Sequence, residues 1–360
     1  MVFSRYKGYT LLWPTTERQR TWHWSYPIIL LSTVVNVALL YLWCSSRVPS
    51  PLDSYQHLNT QPLLNADALD ALNDSPLTPD NAVVTSLYTD AYATAVATLG
   101  HSLNAANSTA RRIVLYLPSQ VSPRALCIAS ASGFEPLAIP RIEPPHGSKG
   151  VYHRFVDQYS KLRLWTLAEH DVRAAVYLDA DTLVRQNFDE LFRLPYAFAA
   201  VPDVFMDKKG FSLMFNAGVL FLRPDARVFE DMLQKIETAD FPARDAEQAF
   251  LNYYYGKETL RLPYAYNANL AIKQRQPALW DDLWHETRIV HYTLFKPFLD
   301  DREREVEIRL MEENVESKLG MQGGLFDQEI REWAGAWRET RRIYGDAFDV
   351  CERRAAGRQT

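Results

Sequence analysis

The residues in this chain whose types and spacing best suit chemistry are Asp179-Ala180-Asp181, directly after the apolar run AAVYL at 174–178. The run reads as a buried strand, and residues i and i+2 of an extended chain point to the same side. Two carboxylates therefore converge at the carboxyl end of a strand. Hard divalent cations such as Mg²⁺ and Mn²⁺ take oxygen ligands of this kind. The small Ala180 lets a ligand approach the backbone. An isolated Asp-x-Asp also fits a solvated turn. Its place after an apolar strand favours a site, and it is the only such triplet in the chain. No GxSxG motif and no P-loop is present.

The elements that must position this pair alternate in type. Residues 82–87 (AVVTSL), 112–117, 136–139, 174–178 and 219–222 read as strands. Residues 90–103, 122–132, 154–170, 226–238 and 245–255 read as helices. In the third helix Phe155, Tyr159, Leu162 and Thr166 fall on one face. Strands alternating with helices imply an α/β domain with a mainly parallel sheet covered on both faces. Ligands of such sheets bind beyond the carboxyl ends of the strands. The last sixty residues are charged and helical, with Ile330, Trp333 and Trp337 as an apolar stripe expected to pack on the domain.

Composition narrows the class. The 360 residues are 47% hydrophobic and 23% charged with a net charge of −5, which excludes a disordered, collagenous or polytopic membrane chain. No basic excess marks a nucleic-acid binder. Three cysteines without a CxxC pair exclude a disulfide framework and disfavour a structural zinc site, leaving a Cys127–Cys351 bridge open.

One segment stands apart. Tyr26–Cys44 runs 19 residues without a charge, just enough to span a bilayer at about 1.5 Å per residue. Trp22, Trp24 and Tyr26 stand at one end and Tyr41 and Trp43 at the other, as interfacial aromatics do. A cleaved signal peptide has a shorter apolar core, and a buried core helix is not apolar on every face ahead of a polar linker. Arg5, Lys7, Arg18 and Arg20 precede the segment and only Arg47 follows closely, which keeps the N-terminus cytosolic. The expected organisation is a tail at 1–25, a signal anchor at 26–44, a proline-rich stem at 45–80, a catalytic domain at 81–300 and a helical extension at 301–360. Asn107-Ser108-Thr109, an N-glycosylation acceptor triplet, agrees with a lumenal domain.

YLDADTLV (177–184) resembles the metal-binding motif of glycosyltransferase family 8, which includes glycogenin and its relatives. Six further segments resemble family motifs in family order: AVVTSLYTDAY (82–92), SKLRLWTL (160–167), FNAGVLFLRPD (215–225), DAEQAFLN (245–252), LPYAYNAN (262–269) and IVHYTLFKPF (289–298). The resemblance implies the A-type glycosyltransferase fold, a Rossmann-like α/β domain. It also implies retaining transfer of a sugar from a UDP-sugar with Mn²⁺, Mg²⁺ being the second candidate.

By the same resemblance Asp179, Asp181 and His291 are the metal ligands, and Lys161 and Lys296 contact the donor. For His291 a core or surface histidine, and for Lys161 a solvated helix face, are the competing readings. Leu87, Tyr88 and Tyr92 fall at the base pocket, with Tyr92 stacking on uracil. Asn216, Ala217 and Gly218 line the donor sugar, Gly218 by permitting close approach. Asp203, Glu247 and Gln248 are the candidate catalytic residues. Asp203 also fits a turn, and Asp245 with Gln248 also fits a helix capping box. Asn267 and Asn269 are expected on the acceptor side. The His291–Lys296 loop lacks the family's glycine. Glycogenins carry acceptor tyrosines shortly after the YN motif, whereas this chain has Ile272-Lys273-Gln274-Arg275-Gln276 there. Glycogen priming is therefore rejected in favour of an external glycan or glycoconjugate acceptor at a Golgi-type membrane. The competing classes are a membrane-anchored glycan- or nucleotide-binding protein without catalysis and a metal-dependent phosphohydrolase. The carboxylate pair, His291 and Lys296 speak against the first, and the lack of further metal ligands against the second.

Overall fold

A computed structural model describes residues 22–45 and 78–357. Residues 1–21, with Arg5, Lys7, Arg18 and Arg20, and residues 46–77, with Arg47 and the first four stem prolines, lie outside the described residues. Two compact units divide the chain at Gln56/His57.

In the first unit α1 spans Trp22–Ser45. Its Tyr26–Cys44 stretch has a mean hydropathy of 2.0 and is unburied. Polar side chains near its middle bond within the helix. Thr33 Oγ1 donates to the Ile29 carbonyl at 2.8 Å and Asn36 Nδ2 to the Ser32 carbonyl at 2.8 Å. That lowers the cost of placing them in an apolar medium.

The second unit follows the alternation expected. Its first half contains β1 (Asn81–Leu87), α2 (Ala93–Ala105), β2 (Arg111–Tyr116), α3 (Pro123–Ser130), β3 (Glu135–Ala138), a 3₁₀ helix (His153–His170), β4 (Ala174–Leu178) and β5 (Thr182–Val184). Next come β6 (Phe198–Val204), β7 (Phe211–Leu222), α4 (Ala226–Lys235), α5 (Ala246–Tyr255), β8 (Leu260–Arg261), β9 (Ala268–Asn269), α6 (Leu270–Arg275), α7 (Pro277–Trp284) and β10 (Ile289–His291). Two helices close the chain, α8 (Met311–Ser317) and α9 (Asp327–Ala356).

Seven strands form the main sheet in the order β3-β2-β1-β4-β7-β6-β8, antiparallel only where β7 meets β4 and β6. Alternate residues of β1 and β4 enter two separate cores. Val83, Leu87, Val176 and Leu178 lie in one, and Ala82, Val84, Ala175 and Tyr177 in the other. Both faces are thus covered, which explains the unbroken apolar runs. This is the Rossmann-like A-type architecture expected. A second sheet, β5-β10-β9, sits after the metal motif. In it His291 pairs with Thr182 on one side and Asn269 on the other.

The C-terminal stripe packs as expected, with Ile330, Trp333 and Trp337 all buried. Cys127 and Cys351 form a disulfide that ties α9 to α3.

Four details differ from the sequence expectation. The helix at 154–170 is 3₁₀, so its face is not the expected i, i+4, i+7 stripe. Tyr159 and Leu162 are buried, but Phe155 is 42% exposed. The helix expected from residue 90 opens with one 3₁₀ turn, Asp90–Tyr92, before α2 begins. The strand expected at 219–222 begins eight residues earlier, at Phe211. Asp245 makes no side-chain cap on α5, so the capping box does not form; the Gln248 amide is engaged elsewhere.

Candidate active site

The carboxyl end of β4 delivers Asp179 and Asp181. The Asp179 amide donates to the Gly218 carbonyl at 2.8 Å, and its own carbonyl accepts from the Thr182 amide (3.1 Å) and hydroxyl (2.8 Å). These bonds fold the chain from β4 into β5 with both carboxylates on one side. Opposite them, β10 presents His291, whose Nε2 lies 3.2 Å from Asp181 Oδ1 and 3.8 Å from Asp179 Oδ2.

Hydrogen bonds fix the histidine's tautomer. The Gly218 amide donates to Asn216 Oδ1 at 2.9 Å, so that oxygen is an acceptor. Asn267 therefore presents Nδ2 to it, at 3.0 Å, and turns its own Oδ1 to His291 Nδ1, at 3.0 Å. Nδ1 must then carry the proton, which leaves the Nε2 lone pair aimed at the carboxylates. One ligand atom from each of Asp179, Asp181 and His291 falls within 4.8 Å of the others. Two carboxylate oxygens and one imidazole nitrogen fit Mn²⁺ well and Mg²⁺ less well. The second partner on His291 is the arrangement that orients metal-binding histidines.

Gly218 serves a different purpose from the one expected. A Cβ there would meet His291 Cε1 at 2.2 Å and Nδ1 at 2.7 Å. The space a side chain would take belongs to the imidazole. Asn267 is likewise corrected. It is 1% exposed, with both ends of its amide engaged, so it faces His291 and not an acceptor.

Lys161 is 2% exposed, which rules out a solvated helix face. Its Nζ lies 2.8 Å from Glu247 Oε1 and 3.1 Å from Asp179 Oδ1, and donates to the Ala217 carbonyl at 3.2 Å. Burial would lower its pKa, but the Asp179 and Glu247 carboxylates outweigh burial and hold the ammonium above its ordinary range. Lys296 reaches Asp181 and donates to the Tyr292 carbonyl at 2.5 Å. Burial alone would raise the Asp181 carboxyl; the Lys296 ammonium beside it outweighs burial and holds it below the usual carboxylate range.

Asp203, at the end of β6, accepts from Gln248 Nε2 (2.9 Å), Asn216 Nδ2 (3.2 Å), Asn269 Nδ2 (3.5 Å) and the Val204 amide (2.8 Å). Burial still prevails over these bonds and raises its pKa. Gln248 Oε1 accepts from the Ala217 amide at 2.9 Å. Glu247 and Gln248 are aimed inward by Ala246, whose φ of 48° turns the chain sharply at the start of α5. A non-glycine residue held there stores backbone strain. Ala180 is buried within the turn. Leu87 is fully buried at the end of β1, and Tyr92 is half-buried with its ring edge-on to Phe298 at 5.1 Å.

Several site residues escape the sequence reading. Tyr177 donates to Asp179 Oδ1 at 2.7 Å and pairs with Ser86 Oγ at 2.8 Å. Its i−2 relation to Asp179 in a strand is the signal that would have found it. Asn252 clamps the Phe215 backbone through both ends of its amide, each at 2.8 Å, and no local pattern marks it.

Residues 151–302 match the model of Glycosyl transferase family 8. Galactinol synthase 1 of Solanum lycopersicum is 34% identical over 177 residues, which are 44% of this chain and 52% of that protein. Inositol phosphorylceramide glucuronosyltransferase 1 of Arabidopsis thaliana is 30% identical over 174 residues, 48% of this chain and 30% of that protein. The chain thus spans about half the length of the galactinol synthase it matches and less of the glucuronosyltransferase. Among solved structures, the galactosyltransferase LgtC in complex with donor and acceptor sugar analogues aligns with a TM-score of 0.48 at 18% identity, over 72% of this chain and 99% of that one. The family match takes in Lys161, the Asp179-Ala180-Asp181 turn, Asn216–Gly218, Glu247-Gln248, His291 and Lys296, so the candidate site lies within the stretch that is similar to glycosyltransferase family 8.

Proposed function

We propose that this protein is a retaining glycosyltransferase that moves a sugar from a UDP-sugar to an external glycan or glycoconjugate acceptor. The observation that carries the reading is the trio Asp179, Asp181 and His291, with the Nε2 lone pair of the histidine turned toward both carboxylates. These three residues would hold Mn²⁺. When bound, the ion supplies Lewis-acid stabilisation to the diphosphate as negative charge develops on it.

The chain's own residues do the rest. Lys296 brings a second positive charge to the diphosphate end, where the chain is otherwise acidic. Lys161 holds the Asp179 and Glu247 side chains in register. Glu247, Gln248 and Asn216 line the donor sugar and stabilise positive charge at its anomeric carbon. Tyr92 lies at the base pocket. Asp203 accepts four hydrogen bonds and Glu247 is bound to Lys161, so neither is a free nucleophile. That favours front-side transfer. The acceptor oxygen bonds to the anomeric carbon on the face the diphosphate leaves, and the leaving phosphate takes the acceptor's proton.

The unburied Tyr26–Cys44 helix, preceded by basic residues, supports a single-pass type II anchor with the catalytic domain lumenal, as in the Golgi. Incubating the full-length protein in detergent with a panel of UDP-hexoses and UDP-glucuronate tests the function. UDP release with Mn²⁺ that stops with EDTA, and an anomeric proton signal showing retention, are the expected results. A folded protein that binds UDP-sugars but turns none over would establish a binding protein instead.

A further inference from the structure

The C-terminal helix contributes more than packing. Glu329, in the first turn of α9, is 0% exposed. Its carboxylate accepts from Lys273 Nζ at 2.8 and 2.9 Å and from Trp280 Nε1 at 2.9 Å. Its carbonyl oxygen accepts from the Tyr292 hydroxyl at 2.9 Å. Three separate segments therefore meet at one residue: α6 through Lys273, α7 through Trp280, and the loop after β10 through Tyr292.

Each of the first and last of these leads straight to the trio. Lys273 lies on α6, which Asn269 caps by accepting from the Ala271 amide at 2.8 Å. Asn269 belongs to β9, next to Asn267, and β9 pairs with β10 at His291. Tyr292 directly follows His291, and its amide donates to the Asp181 carbonyl at 3.0 Å. The carbonyl of Tyr292 in turn accepts from Lys296 Nζ. Asp181, His291, Asn267 and Lys296 are thus all one or two bonds from a segment that Glu329 clamps. Phe295 against Phe326 (5.2 Å) and Phe298 against Trp333 (5.7 Å) seat the same loop on the extension.

A buried carboxylate held by two donors through three hydrogen bonds is costly to desolvate, and a well-packed apolar substitute of similar volume is often as stable. What the polar version adds is geometry, because its bonds have fixed lengths and directions. We propose that Glu329 is a positioning residue for the Asp179–Asp181–His291 site: through Tyr292 and Lys273 it sets the spacing of His291 against Asp181. This rests on the metal reading above.

The test is a Mn²⁺ titration of full-length protein in detergent, read by electron paramagnetic resonance of the free ion. The parent is compared with Tyr292→Phe, which removes only the hydroxyl bond, and with the paired variant Glu329→Met/Lys273→Met, which removes both charges together. Melting temperature is measured alongside. A merely structural role lowers the number of sites and the melting temperature while the remaining sites keep the parent's affinity. The expected result is an unchanged site number with the dissociation constant raised about tenfold or more in the paired variant and several-fold in Tyr292→Phe, since removing a group behind a metal ligand costs roughly 10–100-fold. Should the paired variant fail to fold, Tyr292→Phe decides alone. Variants that bind Mn²⁺ as the parent does overturn the inference. A parent that binds no Mn²⁺ overturns the metal reading and this inference with it.

Discussion

Replacing Gly218 by alanine strikes the site at one atom. The new Cβ would lie 2.2 Å from His291 Cε1, whereas ordinary contact begins at 3.4 Å, so the ring must retreat by about 1.2 Å. Little slack exists to absorb that. β10 is paired on both edges, and the imidazole Nδ1 is held by Asn267 at 3.0 Å. Metal–ligand distances tolerate roughly 0.2 Å, so the displacement is several times what coordination allows. Overpacking of this kind costs about 1–3 kcal/mol of stability, which a domain of this size survives. The expected outcome is a folded variant whose Mn²⁺ affinity, by calorimetric titration, is lower by on the order of 10–100-fold or more. A folded Gly218→Ala protein with the parent's Mn²⁺ affinity would refute the assignment of His291 as a ligand.

Three further outcomes follow from the geometry. Lys161→Met leaves the Glu247 carboxylate buried without its cation and should cost about 3–5 kcal/mol, seen as a lower denaturation midpoint; an unchanged midpoint would mean the pair carries no charge. Burial raises the Asp203 pKa above its ordinary 3.8, so the stability tied to that carboxyl is whole below 3.8 and declines as pH rises through the folded value. Asp203→Asn never ionises, so its melting temperature minus the parent's should increase from about pH 4 to about pH 7; a decrease would contradict the raised value. Cys351→Ser opens a bridge across a 224-residue separation and should lower stability by about 2–5 kcal/mol, read by calorimetry with and without reductant.

The main chemistry was legible because it is local. An apolar run ending in Asp179-Ala180-Asp181 announces a strand delivering two carboxylates, and period-two patterning does not depend on what lies across the sheet. Strand and helix order was legible for the same reason. The 3₁₀ form of His153–His170 was not, because its apolar spacing fits either helix within a few residues. Roles that depend on a distant partner are not legible in local sequence. Gly218 looks like room for a sugar until His291, 73 positions away, fills that room. Asn267 looks acceptor-facing until β9 pairs with β10 and turns its amide to the histidine. Glu329 gave no signal, since one acid among many in a charged helix is marked only by the Lys273 and Trp280 it meets on folding.

The central claim is that Asp179, Asp181 and His291 hold the ion on which UDP-sugar turnover depends. Its most direct test is UDP release measured against Mn²⁺ concentration for the full-length parent and for Asp179→Asn side by side. Saturable, EDTA-sensitive release by the parent is the expected result. The folded variant should lose about 100-fold or more, the range seen when a group stabilising transition-state charge is removed. Equal release by both proteins, or release by the parent that EDTA leaves untouched, would contradict it.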